Sequence, residues 1–429
     1  MFEHKNVYPV ILVPGFFAYG EGTLLDKTFP YFGTISAKAT DIIKSMGMDC
    51  HTADFCLLSS VWDRACELYA QIVGGTVDYG EVHSKKHGHE QFGKTYEKGF
   101  VENWGSIDEN SEPVKITLIA KGFGVAVARV FLDLINNGNE EERAAGSTNP
   151  LFLGGKKNHV HCLVSLAGIN DGVTLMSIAE QKIKNIREKF VKGFIVAEEI
   201  KTYKKFTELF DFSKKPIQVT QYGFCAQKVE VQPEETNLQQ GEDFLVQEGD
   251  KSPKGKKKKV KSKLMFDEDA IARYIDRTED NVFYDLEKPA LDLINARCST
   301  FKDTYYICAA NSVTTNLFGK INVPTLKAGL TFPTAFLIAR YENYLPEYPI
   351  ATAEIQENDG VVNTSSSLPP LNEPIEAYKN PDSCKPGVWN MTPIQKKSHL
   401  AYRGVFVRPD KYTNQVYDLM KIICNLNTV

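Results

Sequence analysis

His83, His87 and His89 stand within one seven-residue window of the run "DYGEVHSKKHGHEQ", and Asp63 precedes them in "VWDRACELYA". Imidazole nitrogens and carboxylate oxygens are donors that Zn²⁺ takes, and four of them close a tetrahedral structural site. Spacing alone leaves a second reading open, a polar surface loop that carries histidines. A different chemistry is suggested by "ITLIAKGFGVAVARVF", residues 116–131. An apolar run, a tight glycine turn and a helix, in that order, commonly present a nucleophile at the tip of the turn. Here the tip is Gly122, which has no side chain.

Both constellations need a framework. "YPVILVPGFFAYG" reads as a short buried strand ended by Pro14-Gly15, and "PVKITLIAKGFG" repeats that plan before a helix running from Val125 to Asn136. "HVHCLVSLAG" and "TYYICAA" supply a third and a fourth apolar run. Strands alternating with helices imply the α/β class, with a mostly parallel sheet covered on both faces. Two regions interrupt the plan, residues 59–110 and residues 172–300. The second holds a low-complexity insert over 228–265 that passes from acidic to strongly basic. Such a composition buries too little apolar surface to order itself. Its lysine run, Lys254 to Lys263, is expected as a solvated loop or as an electrostatic contact with an acidic surface.

Composition sets the outer limits. A chain of 429 residues with 42% apolar content fits one large domain, and a net charge of −4 gives no footing for specific nucleic-acid binding. Nine cysteines without CxxC spacing, and a start "MFEHKNVYPVILV" without a signal-peptide layout, lead to the expectation of a reducing, cytoplasmic setting. No apolar run approaches the length of a membrane span.

The stretch from Trp62 to Tyr96 resembles the zinc-containing triacylglycerol lipases of thermophilic bacilli and staphylococci. It shares their Trp-Asp-Arg-Ala-Cys-Glu run, their Val-Gly-Gly-Thr-Val-Asp-Tyr-Gly run and the following His-x-x-Lys-His-Gly-His loop. The likeness continues through "VILVPGF", "YDLEKPALDLIN", "ENDGVVNT" and "KSHL". It implies an α/β-hydrolase fold with an inserted zinc subdomain and a helical lid. It also implies one structural zinc on Asp63, His83, His89 and Asp280, the last in "RTEDNVFYDL", with His87 outside the ligand set. The region matching the lid sets Ile183, Ile186, Phe190 and Phe194 on one helical stripe, which an ordinary amphipathic helix would also show. The family's calcium ligands are not matched: the glutamate position is Ala401 and the later Asp-Pro is replaced in "VFVRPD". Calcium is therefore not expected.

The resemblance also gives the glycine its meaning. The family's elbow is Ala-His-Ser-x-Gly, and the matching residues are Ala120, Lys121, Gly122, Phe123 and Gly124. Asp359 and His399 match the family's catalytic acid and base, and the backbone amides of Phe16 and Phe123 match its oxyanion donors. A serine triad needs a hydroxyl that the histidine deprotonates and that then carries the acyl group. Losing that nucleophile costs about 10⁶-fold in kcat in a well-studied serine protease. Lys121 and Phe123 differ as well, so the whole elbow has diverged. The expectation is a catalytically inactive lipase-like protein, a structural or interaction component with protein partners. In that reading Asp359 and His399 persist as a buried hydrogen bond. Two alternatives stand beside it: a lipid- or acyl-binding protein using the inherited cleft, and a hydrolase in which His399 activates water directly. Deleting Lys254 to Lys263 is expected to leave the melting temperature nearly unchanged in calorimetry, because the segment's composition contributes little to a packed core.

Overall fold

The computed structural model describes residues 5–23, 26–27, 29–34, 37–182, 187, 226–231, 245–246, 261–266, 275–319, 321–342 and 355–429. Seven strands form its central sheet: β1 (Val10–Val13), β2 (Cys50–Thr52), β3 (Ile116–Lys121), β4 (Val160–Leu166), β5 (Tyr305–Ala309), β6 (Ile375–Ala377) and β7 (Trp389–Met391). Their order is β6-β7-β5-β4-β3-β1-β2, and every pairing is parallel. The four apolar runs of the sequence are β1, β3, β4 and β5, each buried along its whole length. Burial on both faces is why they read as continuous apolar runs rather than as alternating ones. The other three strands have three residues each and lack such runs, so pattern alone does not reveal them.

Helices cover both faces. They are α1 (Ala39–Ser45), α2 (Val61–Val73), α3 (Glu81–His87), α4 (Gly124–Asn137) and α5 (Pro409–Cys424), with α3 lying away from the sheet. On one side Ile11, Val13, Leu118 and Ala120 pack with Ala65, Leu68 and Ile72 of α2 and with Val127 and Phe131 of α4. On the other, Val10, Leu12 and Ile119 pack with Ile42 and Ile43 of α1 and with Met420 and Ile423 of α5. Each of these side chains larger than alanine contributes about 1.5–3 kcal/mol on burial. Although α2 falls within residues 59–110, it therefore belongs to the covering layer. The polar part of that region begins after Gly74.

The β3–α4 turn has two glycine requirements. Gly122 adopts φ +55°, a left-handed conformation that costs glycine no steric strain. A Cβ on Gly124 would lie 2.5 Å from the Val13 carbonyl oxygen and 2.7 Å from that of Pro14, so only glycine lets α4 start against the end of β1. Strands Ala226–Val231, Leu245–Val246 and Lys261–Phe266 form a separate antiparallel sheet and, among the described residues, pair with no strand of the central one. Composition had suggested no order here, yet the two ends of the insert pair with each other. The stripe Ile183, Ile186, Phe190 and Phe194 lies outside the described residues. No described helix is long and apolar enough to cross a membrane.

Arg64 ties α2 to the loop after β1. It is wholly buried and donates to three carbonyls, from Nε to Ser59 (3.0 Å), Nη1 to Gly15 (3.2 Å) and Nη2 to Leu57 (2.9 Å). Its guanidinium also lies over the Phe123 ring, 5.1 Å from the centroid. Arg64→Met strands those carbonyls. It is expected to destabilise the fold by about 3–5 kcal/mol, read from the urea midpoint at unchanged slope.

Candidate active site and metal centre

The acid–base pair is built on two loops at the carboxyl ends of the strands. Asp359 is fully buried, and its Oδ1 accepts from the amides of Val361 (3.0 Å) and Val362 (2.8 Å). Its Oδ2 is 2.8 Å from Nδ1 of His399, and the His399 amide donates to the Asp359 carbonyl at 2.9 Å. A carboxylate only accepts, so Nδ1 carries the proton and Nε2 is the basic nitrogen. Burial holds the His399 imidazole below its ordinary value. Asp359 opposes that shift, and the Lys121 charge adds to it.

Nε2 faces the elbow. A Cβ on Gly122 would stand 3.3 Å from His399 Nε2, which is where a nucleophile borne by residue 122 would meet its base. Among the described residues no serine, threonine or cysteine hydrogen-bonds His399. Phe123 precedes the first turn of α4, where helical amides have no intrahelical acceptor, and this is the setting in which an amide can serve a developing oxyanion. Phe16 lies on the loop after β1, packed against Phe283.

The second constellation lies beyond α2. Ser60 caps that helix by accepting from the Asp63 amide, which fixes Asp63 in the first turn. The hairpin of Gly75–Asp78 and Phe92–Tyr96 encloses α3, and Glu142 accepts from the amides of Val82 and His83 at its start. Gly88, with φ +77°, ends α3 and turns His89 inward. Asp280 precedes Asn281, whose side chain caps the next short helix. One ligand atom from each of Asp63, His83, His89 and Asp280 lies within 4.8 Å of all the others.

The local chemistry fits a divalent cation. His83 Nε2 is 3.3 Å from both Asp63 Oδ1 and Asp280 Oδ1, and His89 Nε2 is 3.2 Å from Asp280 Oδ2. Yet His83 Nε2, His89 Nε2 and Asp280 Oδ2 are enclosed without a hydrogen-bond partner. Such atoms are costly unless something between them accepts their lone pairs. His89 Nδ1 is 2.9 Å from the Glu90 carbonyl, which can only accept, so Nε2 presents a lone pair. Trp62 stacks on His83 with centroids 5.0 Å apart and fixes that ring. His87 is outside the cluster, its Nδ1 3.4 Å from Thr278 Oγ1. Two carboxylates and two neutral imidazoles carry the charge that one dication cancels.

A parallel sheet wrapped by helices, with an elbow after an inner strand and an Asp–His pair facing it, defines the α/β-hydrolase class. The profile described as "Lipase-like, C-terminal domain" matches residues 6–196. EstA from Clostridium botulinum is 30% identical, with a TM-score of 0.73, and the match covers 100% of this chain and 90% of that one. Lipase 1 from Pelosinus fermentans is 26% identical, with a TM-score of 0.70, over 96% of this chain and 98% of that one. Lipase 2 of Staphylococcus aureus is 29% identical over 97% of this chain and 54% of its own length. The chain belongs to the lipase-like family. It spans about half the length of the staphylococcal proteins it matches.

These relatives correct one expectation. The sequence reading made the protein a non-enzyme because Gly122 replaces the serine. Proteins matching nearly the whole chain are named lipases, which are enzymes. Gly122 excludes an acyl-serine at this position and no more than that. The pattern also gave no warning that Lys121, inside an apolar run, is almost wholly buried. Its one visible signal was a cation in "LIAKGF".

Purified protein is expected to hold one divalent metal per chain by elemental analysis. Asp280→Ala is expected to lose it. Stripping a metal present at about 100 times its Kd removes about 2.7 kcal/mol of stability, so chelation should lower the melting temperature of the parent chain and not that of the variant.

Proposed function

We propose that the chain is a carboxylic-ester hydrolase of the lipase-like family in which Asp359 and His399 deliver water directly to the ester carbonyl. The observation that carries this reading is the position of His399 Nε2, a base paired with Asp359 and 3.3 Å from where a Cβ on Gly122 would stand. A water held there donates its proton to Nε2 as its oxygen attacks the carbonyl carbon. The amides of Phe16 and Phe123 receive the developing oxyanion. His399 then returns the proton to the departing alkoxide, giving acid and alcohol in one hydrolytic cycle. The metal is assigned as zinc on its donor set, two imidazoles and two carboxylates, in a closed shell that braces the hairpin against α2. It takes no part in the cycle.

The reaction is expected to be slow beside a serine lipase. Oxyanion stabilisation and binding alone leave roughly 10³–10⁴-fold over water when a triad member is removed, and a positioned general base adds about 10²–10⁴-fold. A short-chain nitrophenyl ester should turn over without a pre-steady-state burst and without labelling by a fluorophosphonate. His399→Ala should abolish the rate. Stoichiometric labelling of another residue, or a rate indifferent to His399, overturns the proposal.

The pH profile supplies a second check. A base whose pKa is lowered stays neutral further into acid than an ordinary imidazole. The acid limb of kcat/KM should therefore fall below the usual value of 6.5. The same shift makes the unfolded chain the stronger proton binder, so this group's contribution to stability is lost as pH falls from the unfolded value through the lower folded one.

A further inference from the structure

Between Thr314 and Arg340 the chain turns a run of large apolar side chains to solvent. Thr314–Leu317 and Ile321–Pro324 form an antiparallel hairpin in which Leu317 stands opposite Ile321. Thr314, Asn322 and Pro324 are buried on one face of it, and Leu317 and Ile321 are exposed on the other. At the tip, Phe318 is 94% exposed and adopts φ +56°. That conformation is strained for a bulky side chain and open to glycine. Strain and exposure together leave the fold no gain from a phenylalanine there. The next turn, Leu326–Thr331, exposes Leu326 at 95% and Leu330 at 67%. Phe332 and Phe336 follow, one turn apart on the helix Phe332–Ile338 and both exposed. The Arg340 guanidinium lies 5.4 Å from the Phe336 ring centroid.

These pieces form one platform. Val313, Ala328 and Ala335 make a small buried core of their own between hairpin, turn and helix, and the helix packs against both the turn and the second strand of the hairpin. The Val313 amide donates to the Asn358 carbonyl at 2.8 Å, Asn358 Nδ2 to the Ala335 carbonyl at 3.2 Å, and Thr334 Oγ1 to the Gly360 carbonyl at 2.5 Å. The platform is thereby fastened to the loop that carries Asp359. Single apolar side chains on a surface need no explanation, whereas a contiguous set marks an interaction site. Charge decides the partner. No aspartate or glutamate occurs between Asp303 and Glu342, but Lys320, Lys327 and Arg340 do, and Lys327 and Arg340 are exposed. A second copy of the platform would set these cations against one another. A bilayer of anionic phospholipid offers an apolar boundary to the leucines and phenylalanines and negative charge to the cations. We infer that this platform docks the protein on an anionic phospholipid bilayer, with Phe318 and Leu326 entering the acyl boundary. The bilayer is a docking surface here, so the inference does not rest on the ester-hydrolase reading.

The test is co-sedimentation of the full chain with lipid vesicles, which needs no turnover. Vesicles of equimolar phosphatidylcholine and phosphatidylserine should carry the protein down. Phosphatidylcholine alone should bind it about tenfold or more weakly, and added salt should loosen the anionic vesicles' hold. Phe318→Asn supplies a polar residue that tolerates the left-handed turn, so its melting temperature should match the parent's while binding falls about tenfold or more. Leu326→Ser should behave likewise, and Lys327→Gln should weaken binding about fivefold. Leu371→Ser removes a leucine that is 93% exposed on the loop before β6, and it should bind as the parent does. Absence of binding to the anionic vesicles, equal binding to both kinds, or full binding by Phe318→Asn overturns the proposal. So does a concentration-dependent dimer, broken by Phe318→Asn, in place of vesicle binding, which would assign the platform to a second copy.

Discussion

The turn between β3 and α4 is the constraint on which the rest of the site depends. Strand β3 is paired on both sides, so its end is fixed by β1 and β4. Helix α4 is buried from Gly124 to Asn136 and cannot shift without reopening the core. The chain must therefore reverse within two residues, and Gly122 accepts the left-handed conformation that this demands. Everything chemical is referred to that point. His399 approaches it from one loop, the Gly15 loop from another, and Phe123 leaves it as the start of a helix. An ordinary residue held in such a conformation costs about 1–3 kcal/mol, so glycine relieves strain where the family carries its nucleophile.

This separates two properties that a serine elbow combines. The geometry of the turn is set by packing, whereas the reactive group is one side chain attached to it. Replacing the side chain leaves the acid–base pair and the helix amides in place. Equating the missing hydroxyl with a missing enzyme treated the triad as indivisible. Its parts are separable, because base, oxyanion donors and binding each retain a share of the rate when another part is removed.

Much of this was legible in the sequence, for reasons that can be named. Strands β1, β3, β4 and β5 are buried on both faces, and that burial writes itself as apolar runs. The four groups of the metal cluster come from three separate segments. The histidines and Asp63 were visible as donors, but Asp280 entered only through resemblance, since nothing local marks an aspartate before a capping asparagine as a ligand. Strands β2, β6 and β7 were not legible, being three residues each and recruited by neighbours rather than by their own pattern. The pairing of Ala226–Val231 with Lys261–Phe266 was hidden by composition, which reports average polarity and says nothing of register.

Buried charge, taken over the whole molecule, shows what these sites have in common. Arg64 is met by three carbonyl oxygens, and Arg129 by Glu373 at 2.9 Å with Asn170 and Asn295 beside it. Asp359 is met by two amides and an imidazole. In each case the chain supplies the counterpart, and nothing further is needed to hold the group. At one place it does not. Asp63, His83, His89 and Asp280 converge, and His83 Nε2, His89 Nε2 and Asp280 Oδ2 are left without a hydrogen-bond partner. Two carboxylates and enclosed imidazole lone pairs call for a dication. A metal held in a closed shell can stay for the life of the fold.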